Sequence, residues 1–246
     1  MRILPVAGVI AALSLSPAAH AALIADFELN GSLVNSAGTA ATLVNNAGAG
    51  SLGSSGITFG LNQGPTITGL APTTSYTIDM TFTLDSLNGP RGNGYVKLVD
   101  FSDLASDAGF YSHNGGHFSI YPLGDSADAV FTAGVPVRLT LSHASDGTVA
   151  GYINDVLLYS VSDPNNTSAT AITTALNFFI DDVATGQGEA SSGFVDYIRI
   201  FDTPVTPDQA NPAGVPEPAS WAMMVGGFGV VGGAMRRRPR LARATA

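Results

Sequence analysis

SYTIDMTFTL, residues 75–84, is the stretch of the chain in which apolar and polar residues alternate most regularly. Successive side chains of a β-strand point to opposite faces, so this alternation places an apolar set and a polar set on the two sides of one strand. The apolar set is Tyr76, Ile78, Met80, Phe82 and Leu84, and the polar set is Thr77, Asp79, Thr81 and Thr83. The pattern predicts a half-buried strand of an antiparallel sheet.

Seven further runs of apolar or alternating residues are typical of strands, and short turn signals separate them. The runs cover residues 95–101, 117–121, 135–141, 149–153, 156–161, 176–180 and 194–201. The turn signals are Asn88-Gly89-Pro90, Asn114-Gly115-Gly116, Asp146-Gly147, Asn154-Asp155 and Asp163-Pro164-Asn165. No helical pattern intervenes, and strands without crossover helices cannot form a parallel sheet. We therefore expect one all-β domain, residues 22–210, folded as an antiparallel two-sheet sandwich.

The charge of this domain excludes several classes of partner. Between residues 22 and 214 the chain has four basic side chains and eighteen acidic ones, a formal charge of −14. Such a surface repels phosphate backbones and anionic lipid head groups, so nucleic acid is not an expected partner. It suits solubility outside the cell, cation binding or contact with neutral sugars. The chain has no cysteine, which excludes disulfides and thiolate metal sites.

The first 21 residues, MRILPVAGVIAALSLSPAAHA, have the organisation of a secretory signal peptide. One arginine precedes an apolar stretch at 3–15, and Ala19 and Ala21 stand at positions −3 and −1 of a cleavage site after residue 21. The apolar stretch is too short for a membrane-spanning helix. We therefore expect export through the inner membrane and removal of residues 1–21.

The C-terminal segment, residues 216–246, follows a linker at 211–215 and has three parts. Pro216-Glu217-Pro218 comes first, an apolar stretch follows at 221–235, and a basic tail at 236–246 begins with Arg236, Arg237 and Arg238. Fifteen residues of helix extend about 22 Å, which is less than the roughly 30 Å hydrocarbon core of a bilayer. This short transmembrane helix is expected to insert only transiently, with its arginines on the cytoplasmic side.

The order and spacing of these three parts resemble the PEP-CTERM sorting segment, in the variety with Trp221-Ala222 after the second proline. The resemblance implies that an exosortase-type membrane transpeptidase recognises Pro216-Glu217-Pro218. It also implies membrane anchoring before processing and delivery to the cell surface or an extracellular polysaccharide matrix afterwards. A permanent single-span anchor without processing is the alternative.

The domain between the two ends resembles the laminin G-like and concanavalin A-like jelly rolls. Residues 134–161 are similar to a strand, an Asp-Gly hairpin, a Tyr-Ile-Asn-Asp turn and a second strand of that family. Residues 194–209 are similar to its closing strand and the turn that follows, and residues 25–27 and 99–101 to its opening and central strands. The resemblance implies a jelly-roll sandwich, with another β-sandwich as the alternative.

Residues typical of catalysis do not cluster in this domain. Its two glutamates, Glu28 and Glu189, lie near opposite ends and form no Glu-x-Asp-x-x-Glu pattern, which disfavours a concanavalin-type glycoside hydrolase. His143 has serines and an aspartate nearby, but no nucleophile elbow accompanies them. We therefore expect a protein that is not an enzyme, and a divergent polysaccharide hydrolase or lyase is an alternative.

Loop aspartates make calcium the expected cofactor, because a hard cation binds several carboxylate and carbonyl oxygens. The candidate ligands of one structural calcium ion are Asp26, Asp181, Asp182 and Asp196, since the first and last strands of a jelly roll can lie together. Acidic residues that serve only solubility are the alternative. His113 and His117 could meet across their glycine turn as metal ligands, but no third ligand is evident.

The expected function follows from the export signals and from this chemistry. Sugar sites on β-sandwiches combine exposed aromatic rings with amides and carboxylates. The domain has no tryptophan, and its candidate rings are Tyr95, Tyr111, Tyr121, Tyr152 and Tyr159, which the sequence does not place on one face. We expect a surface or matrix protein that binds carbohydrate or matrix polymer. A purely structural or adhesion protein of the exopolysaccharide matrix is the alternative.

Overall fold

A computed structural model describes residues 21–163, 171–173 and 175–211. Apart from Ala21, the predicted signal peptide lies outside these residues, as do the Pro216-Glu217-Pro218 motif, the apolar stretch at 221–235 and the arginines after it. None of the described residues belongs to a helix with the length and hydrophobicity of a membrane span. The structure therefore bears on the domain between the two predicted processing signals.

In the described part of the chain, fifteen β-strands form two antiparallel sheets, and one 3-10 turn lies at Ala49–Ser51. The strands are β1 (Leu23–Phe27), β2 (Thr42–Val44), β3 (Leu52–Gly53), β4 (Gly56–Phe59), β5 (Thr66–Thr68), β6 (Tyr76–Leu84), β7 (Val96–Asp100), β8 (Gly109–His113), β9 (His117–Tyr121), β10 (Gly124–Ala129), β11 (Val137–His143), β12 (Thr148–Ile153), β13 (Val156–Ser162), β14 (Ala175–Phe178) and β15 (Gly193–Phe201). The predicted all-β sandwich of two antiparallel sheets is confirmed.

The first sheet has the order β13-β12-β11-β6-β15-β4-β3, and β1 also pairs with β15. Strands β4 and β1 share one edge of β15, because β4 pairs with its beginning and β1 with its end. Strand β6, which contains the alternating stretch, lies between β11 and β15. Met80 of β6 is opposite Leu139 on one side and Ile198 on the other, so three strands contribute one apolar row to the core.

The second sheet has the order β10-β9-β8-β7-β14-β5-β2. Its inner face presents Phe110 and Ile120, which are opposite each other in register, to the core that it shares with the first sheet. The two sheets approach closely at Gly151, where an added Cβ atom would lie 2.7 Å from the ring of Phe118. A larger residue at this position would have to displace that ring from its place in the core.

The eight predicted runs all correspond to strands, and β1 contains the opening strand expected at residues 25–27, whereas six short strands were not predicted. These six are β2, β3, β4, β5, β8 and β10, and each has between two and six residues. Runs this short and this rich in glycine, threonine or serine do not show a clear period of two. The predicted turn at Asn114-Gly115 is supported, since both residues have a positive φ, 46° and 84°, as a tight hairpin requires.

The expectation that β6 is half-buried was wrong for its first half. Every residue from Tyr76 to Met80 is buried, including Thr77 and Asp79 on the polar side. The segment after β15 covers this side, because Thr77 Oγ1 donates a hydrogen bond to the carbonyl of Thr203 (2.9 Å) and accepts one from the N–H of Val205 (2.8 Å). The polar residues Thr77 and Asp79 thus lie inside the protein rather than in solvent, whereas Thr81 and Thr83 are partly exposed.

Candidate functional site

The outer face of the second sheet, which points away from the core, carries a row of polar and aromatic side chains. Lys97, Tyr111 and Ser119 are neighbours in register across β7, β8 and β9, so their side chains project to the same face. Loops cover part of this face, and Lys97 and Tyr111 are therefore fully buried. The exposed remainder of the face forms the candidate site.

Tyr95, immediately before β7, is the centre of an aromatic group on this face. Its ring stacks on the imidazole of His113 with centroids 3.6 Å apart, and it meets Tyr111 and Tyr121 edge-on at 5.3 and 6.2 Å. The β8–β9 hairpin places His113 beside the turn at Asn114 and Tyr121 opposite Gly109 at its other end, so the group extends along the face. Tyr121 is 40% exposed, so part of the group faces solvent.

A cavity of about 160 Å³ opens beside this aromatic group. Its walls are formed by Arg91, Asn93, Tyr95, Asp107, Tyr121 and Glu189. Glu189 is held in place by two donors to its Oε1 atom, Arg91 Nη1 at 2.9 Å and Asn93 Nδ2 at 2.5 Å. The cavity therefore combines two aromatic walls, an amide, a guanidinium and two carboxylates.

A wider and more open groove of about 450 Å³ adjoins this cavity, and Asn93 lines both. Ser86, Asn88 and Asn114 supply most of the polar side chains of the groove, and the glycines at 92, 94 and 115 expose backbone. An open groove with amide and hydroxyl groups can exchange hydrogen bonds with several hydroxyl groups of one ligand. The cavity is large enough for a single small ring and the groove for an extension of it.

A buried ionic cluster, which we call the Lys97 cluster, lies under the covering loops of the same face. Lys97 Nζ contacts Asp182 Oδ2, and it lies 3.6 Å from Asp100 Oδ2 and 3.9 Å from Asp181 Oδ1. All four side chains have zero exposure. The ammonium also lies over the Tyr111 ring, 4.8 Å from its centroid, so the Lys97 cluster packs directly against the aromatic group.

Burial changes the ionisation of several carboxyl groups in and beneath the cavity. Desolvation raises the pKa of Glu189 and of Asp107, the two acids that line it, although hydrogen bonds from Asn93 and Tyr111 oppose these shifts. Desolvation likewise raises the pKa of Asp100. Desolvation opposes ionisation of Asp182 too, but the hydrogen bond and charge of Lys97 outweigh it and lower the pKa of that carboxyl.

The four candidate calcium ligands do not come together in the structure. Asp181 and Asp182 belong to the Lys97 cluster, whereas Asp26 lies on β1 of the first sheet and pairs with Arg199 (3.2 Å). Asp196 lies at a register irregularity in β15. Across the described residues, no three acidic, histidine or cysteine side chains are grouped as metal ligands. Calcium binding stays a prediction without a ligand set.

The histidines and glutamates considered in the sequence are also placed by the fold. His113 and His117 are directly opposite each other in the β8–β9 hairpin, as the turn suggested. Each already has a partner, however. His113 Nδ1 hydrogen-bonds with Asp125 Oδ2 (2.8 Å), and His117 Nδ1 hydrogen-bonds with the carbonyl of Ser126 (2.9 Å). Glu28 pairs with Arg199 on the first sheet, while Glu189 lines the cavity on the second. His143 is fully buried and stacks on the ring of Tyr76.

Three of the five candidate tyrosines, Tyr95, Tyr111 and Tyr121, form the aromatic group of the site. Tyr152 does not join them, because it lies in β12 of the first sheet. Tyr159, in β13, packs edge-on against Phe118 of the core. The sequence did not identify Arg91, Asn93 or Asp107, although the loop NGPRGNGY at 88–95 concentrates amides, an arginine and a tyrosine between two strands.

No family model matches the sequence, and no curated protein is significantly similar to it. Solved structures are similar in fold. Domain 4 of AbnA, a GH43 extracellular arabinanase from Geobacillus stearothermophilus solved with arabinotriose, is 17% identical at a TM-score of 0.50, with 80% of this chain and 100% of that chain covered. The ligand binding domain of botulinum neurotoxin serotype D, solved with N-acetylneuraminic acid, is 12% identical at a TM-score of 0.53, with 77% and 50% covered.

A third similar structure is the Trypanosoma rangeli sialidase, 16% identical at a TM-score of 0.53, with 76% of this chain and 32% of that chain covered. This chain thus corresponds to half of the neurotoxin chain and to about a third of the sialidase chain. At such low identities the likeness establishes the fold, which is the β-sandwich found in these three proteins.

Proposed function

We propose that this chain is an exported, non-enzymatic surface protein whose β-sandwich binds neutral carbohydrate at the Tyr95 cavity. The observation that carries the proposal is the composition of the cavity: the aromatic rings of Tyr95 and Tyr121 line it together with Asn93 and Glu189. Aromatic rings stack on the apolar faces of sugar rings, while amides and carboxylates exchange hydrogen bonds with sugar hydroxyls.

The charges around the cavity favour a neutral ligand over an acidic one. Two carboxylates, Asp107 and Glu189, line it against one guanidinium, that of Arg91, which is already paired with Glu189. The whole domain is strongly acidic. A sugar acid would therefore meet repulsion without a free cation to bind its carboxylate. The arabinanase domain, solved with the neutral arabinotriose, is closer to this expectation than the neurotoxin domain solved with N-acetylneuraminic acid.

Replacing Tyr95 with alanine is expected to lower the affinity for a neutral oligosaccharide about five- to thirtyfold, because a central aromatic contact is worth about 1–2 kcal/mol. Titration calorimetry with arabinotriose and with xylose and glucose oligomers measures this loss. Tyr152→Ala is the matched control, since Tyr152 lies in the other sheet and its loss should leave binding unchanged. N-acetylneuraminic acid should bind neither variant nor the unmodified protein.

Several outcomes would contradict the proposed site. Absence of binding to every neutral oligosaccharide would contradict carbohydrate recognition and would favour the structural or adhesion role. Equal losses in Tyr95→Ala and Tyr152→Ala would show that binding occurs elsewhere or that both variants are unfolded. Unfolding curves of the two variants separate these two cases.

Export and sorting form the second half of the proposal and rest on residues outside the described part of the chain. Deletion of the exosortase-type transpeptidase in the native host is expected to leave the chain in the membrane with its C-terminal segment attached. Fractionation and mass spectrometry of the chain test this. A chain that reaches the surface unchanged in length would instead support a permanent anchor.

Hydrolysis is a second candidate function, favoured by one observation. The cavity has two carboxylates, Asp107 and Glu189, and burial raises the pKa of both, as it does for a general acid of a glycosidase. Glu189 is, however, already occupied by Arg91 and Asn93, which suits ligand positioning better than proton donation. Release of reducing ends from a polysaccharide panel that disappears in Glu189→Gln would favour the hydrolase.

A further inference from the structure

Lys97 is the only lysine in the sequence, and the fold buries it completely. A lone ammonium with zero exposure has no role in solubility, and its desolvation is costly. Three carboxyl groups, those of Asp100, Asp181 and Asp182, surround it and are equally buried. Lys97 is therefore held against carboxyl groups out of contact with solvent.

The carboxyl group of Asp182 is arranged as the acceptor of a nucleophile. Its Oδ2 atom contacts Lys97 Nζ. Its Oδ1 atom accepts hydrogen bonds from the N–H groups of Ala184 (2.8 Å) and Thr185 (3.1 Å). Two backbone N–H groups aimed at one carboxyl oxygen stabilise the negative charge that develops there when the carbon is attacked.

Asp100 is placed to accept a proton from Lys97. Its Oδ2 atom lies 3.6 Å from Lys97 Nζ, is buried, and has no hydrogen-bond partner among the described residues. Its other oxygen is held by the N–H of Leu104 at 2.8 Å. A buried carboxyl oxygen without a partner beside an amine can take a proton from it and pass it on.

We propose that Lys97 and Asp182 condense spontaneously into an intramolecular amide between Nζ and Cγ. Lys97 Nζ transfers one proton to Asp182 Oδ2, which it contacts, and its electron pair forms the bond to Cγ of the resulting acid while the charge develops on Oδ1. Asp100 then takes a second proton from the nitrogen and returns it to the departing Oδ2, which leaves as water. The third proton stays on the amide nitrogen, and no oxidant, cofactor or other reactant is needed.

The amide would replace a desolvated cation and anion by a neutral group. It would also join β7 covalently to the segment after β14, across a sequence separation of 85 residues. That segment continues to Glu189, which lines the cavity. In a chain without cysteine, such a bond would stabilise the domain as a disulfide does, by restricting the unfolded chain.

Peptide mass spectrometry of the purified full chain tests the proposal directly. Cleavage after aromatic residues should yield residues 96–101 and 180–194 as one branched species, lighter than the sum of the two peptides by one water. Fragment ions should place the branch on Lys97 and Asp182. Two separate unmodified peptides from the folded protein would overturn the proposal, and a branch on Asp181 would overturn the choice of Asp182.

Two variants test the chemistry. Asp100→Asn keeps the size of the side chain but removes the proton carrier, so the branched species should fall at least tenfold in abundance while cooperative unfolding shows that the variant is folded. Asp107→Asn is the control, because Asp107 lines the cavity and is not among the carboxylates paired with Lys97. Full abundance of the branched species in both variants would show that Asp100 is not needed for the reaction. An equal fall in its abundance in both variants would show that the effect is not specific to Asp100.

Discussion

Replacing Lys97 with methionine is expected to lower the free energy of unfolding by about 3–5 kcal/mol. The substitution removes the cation from three fully buried carboxyl groups and so leaves their charge uncompensated. At roughly 2–4 °C per kcal/mol for a domain of this size, Tm should fall by about 10 °C. Urea unfolding at neutral pH, followed by circular dichroism, measures the change. This value applies to the ion pair; in molecules that carry the proposed amide, the substitution instead removes the covalent link between β7 and the segment after β14.

Arg91→Met is the control for Lys97→Met, because it removes the same charge from a side chain that is 49% exposed. Its expected cost is about 1 kcal/mol or less, since water screens an exposed cation and Glu189 keeps its hydrogen bond from Asn93. Equal costs in the two variants would show that net charge, rather than the buried Lys97 cluster, determines stability.

Replacing Asp79 with alanine is expected to cost about 2–4 kcal/mol, because it disconnects a buried polar network on the outer side of β6. Asp79 accepts hydrogen bonds from Arg138 Nε (2.9 Å), Thr140 Oγ1 (2.7 Å) and the Tyr197 hydroxyl (3.1 Å). The substitution leaves these donors without an acceptor beneath the segment after β15. Thermal and urea unfolding measure the loss.

Asp155→Ala provides a matched control for Asp79→Ala, since Asp155 pairs with the same arginine but is 59% exposed. Its loss should change the free energy of unfolding by less than about 1 kcal/mol. If Asp155→Ala lowers the free energy of unfolding as much as Asp79→Ala does, the exposed salt bridge to Arg138 contributes as much as the buried one, and the burial of Asp79 does not explain its effect.

The alternation in residues 75–84 was sufficient to predict a strand, yet it misjudged the burial of that strand. A period of two separates the two faces of a strand, and it does not report what covers either face. The alternating pattern predicted that Thr77 and Asp79 are exposed to solvent, whereas residues 203–210 cover them. Such coverage by a distant segment leaves no trace in the local pattern.

The candidate site shows the same division between local and distant information. Tyr95 was recognised as a candidate ring, and the loop at 88–95 contains Arg91 and Asn93, but nothing in these residues identified the face on which they lie. Glu189 appeared isolated because its neighbours at the cavity are about a hundred residues away in sequence. The similar solved structures establish the fold of the domain, and the proposed sorting route depends on the terminal motifs.

By itself, the sequence determined the all-β class, most of the strands, the acidic character of the domain and the two terminal motifs, because each of these depends on neighbours within some thirty residues. Only the tertiary structure decided that Lys97 meets Asp182 and that Tyr95, Tyr121 and Glu189 share one cavity. These contacts depend on the pairing of β7 with β14 and β8, which is set by packing across the whole sandwich.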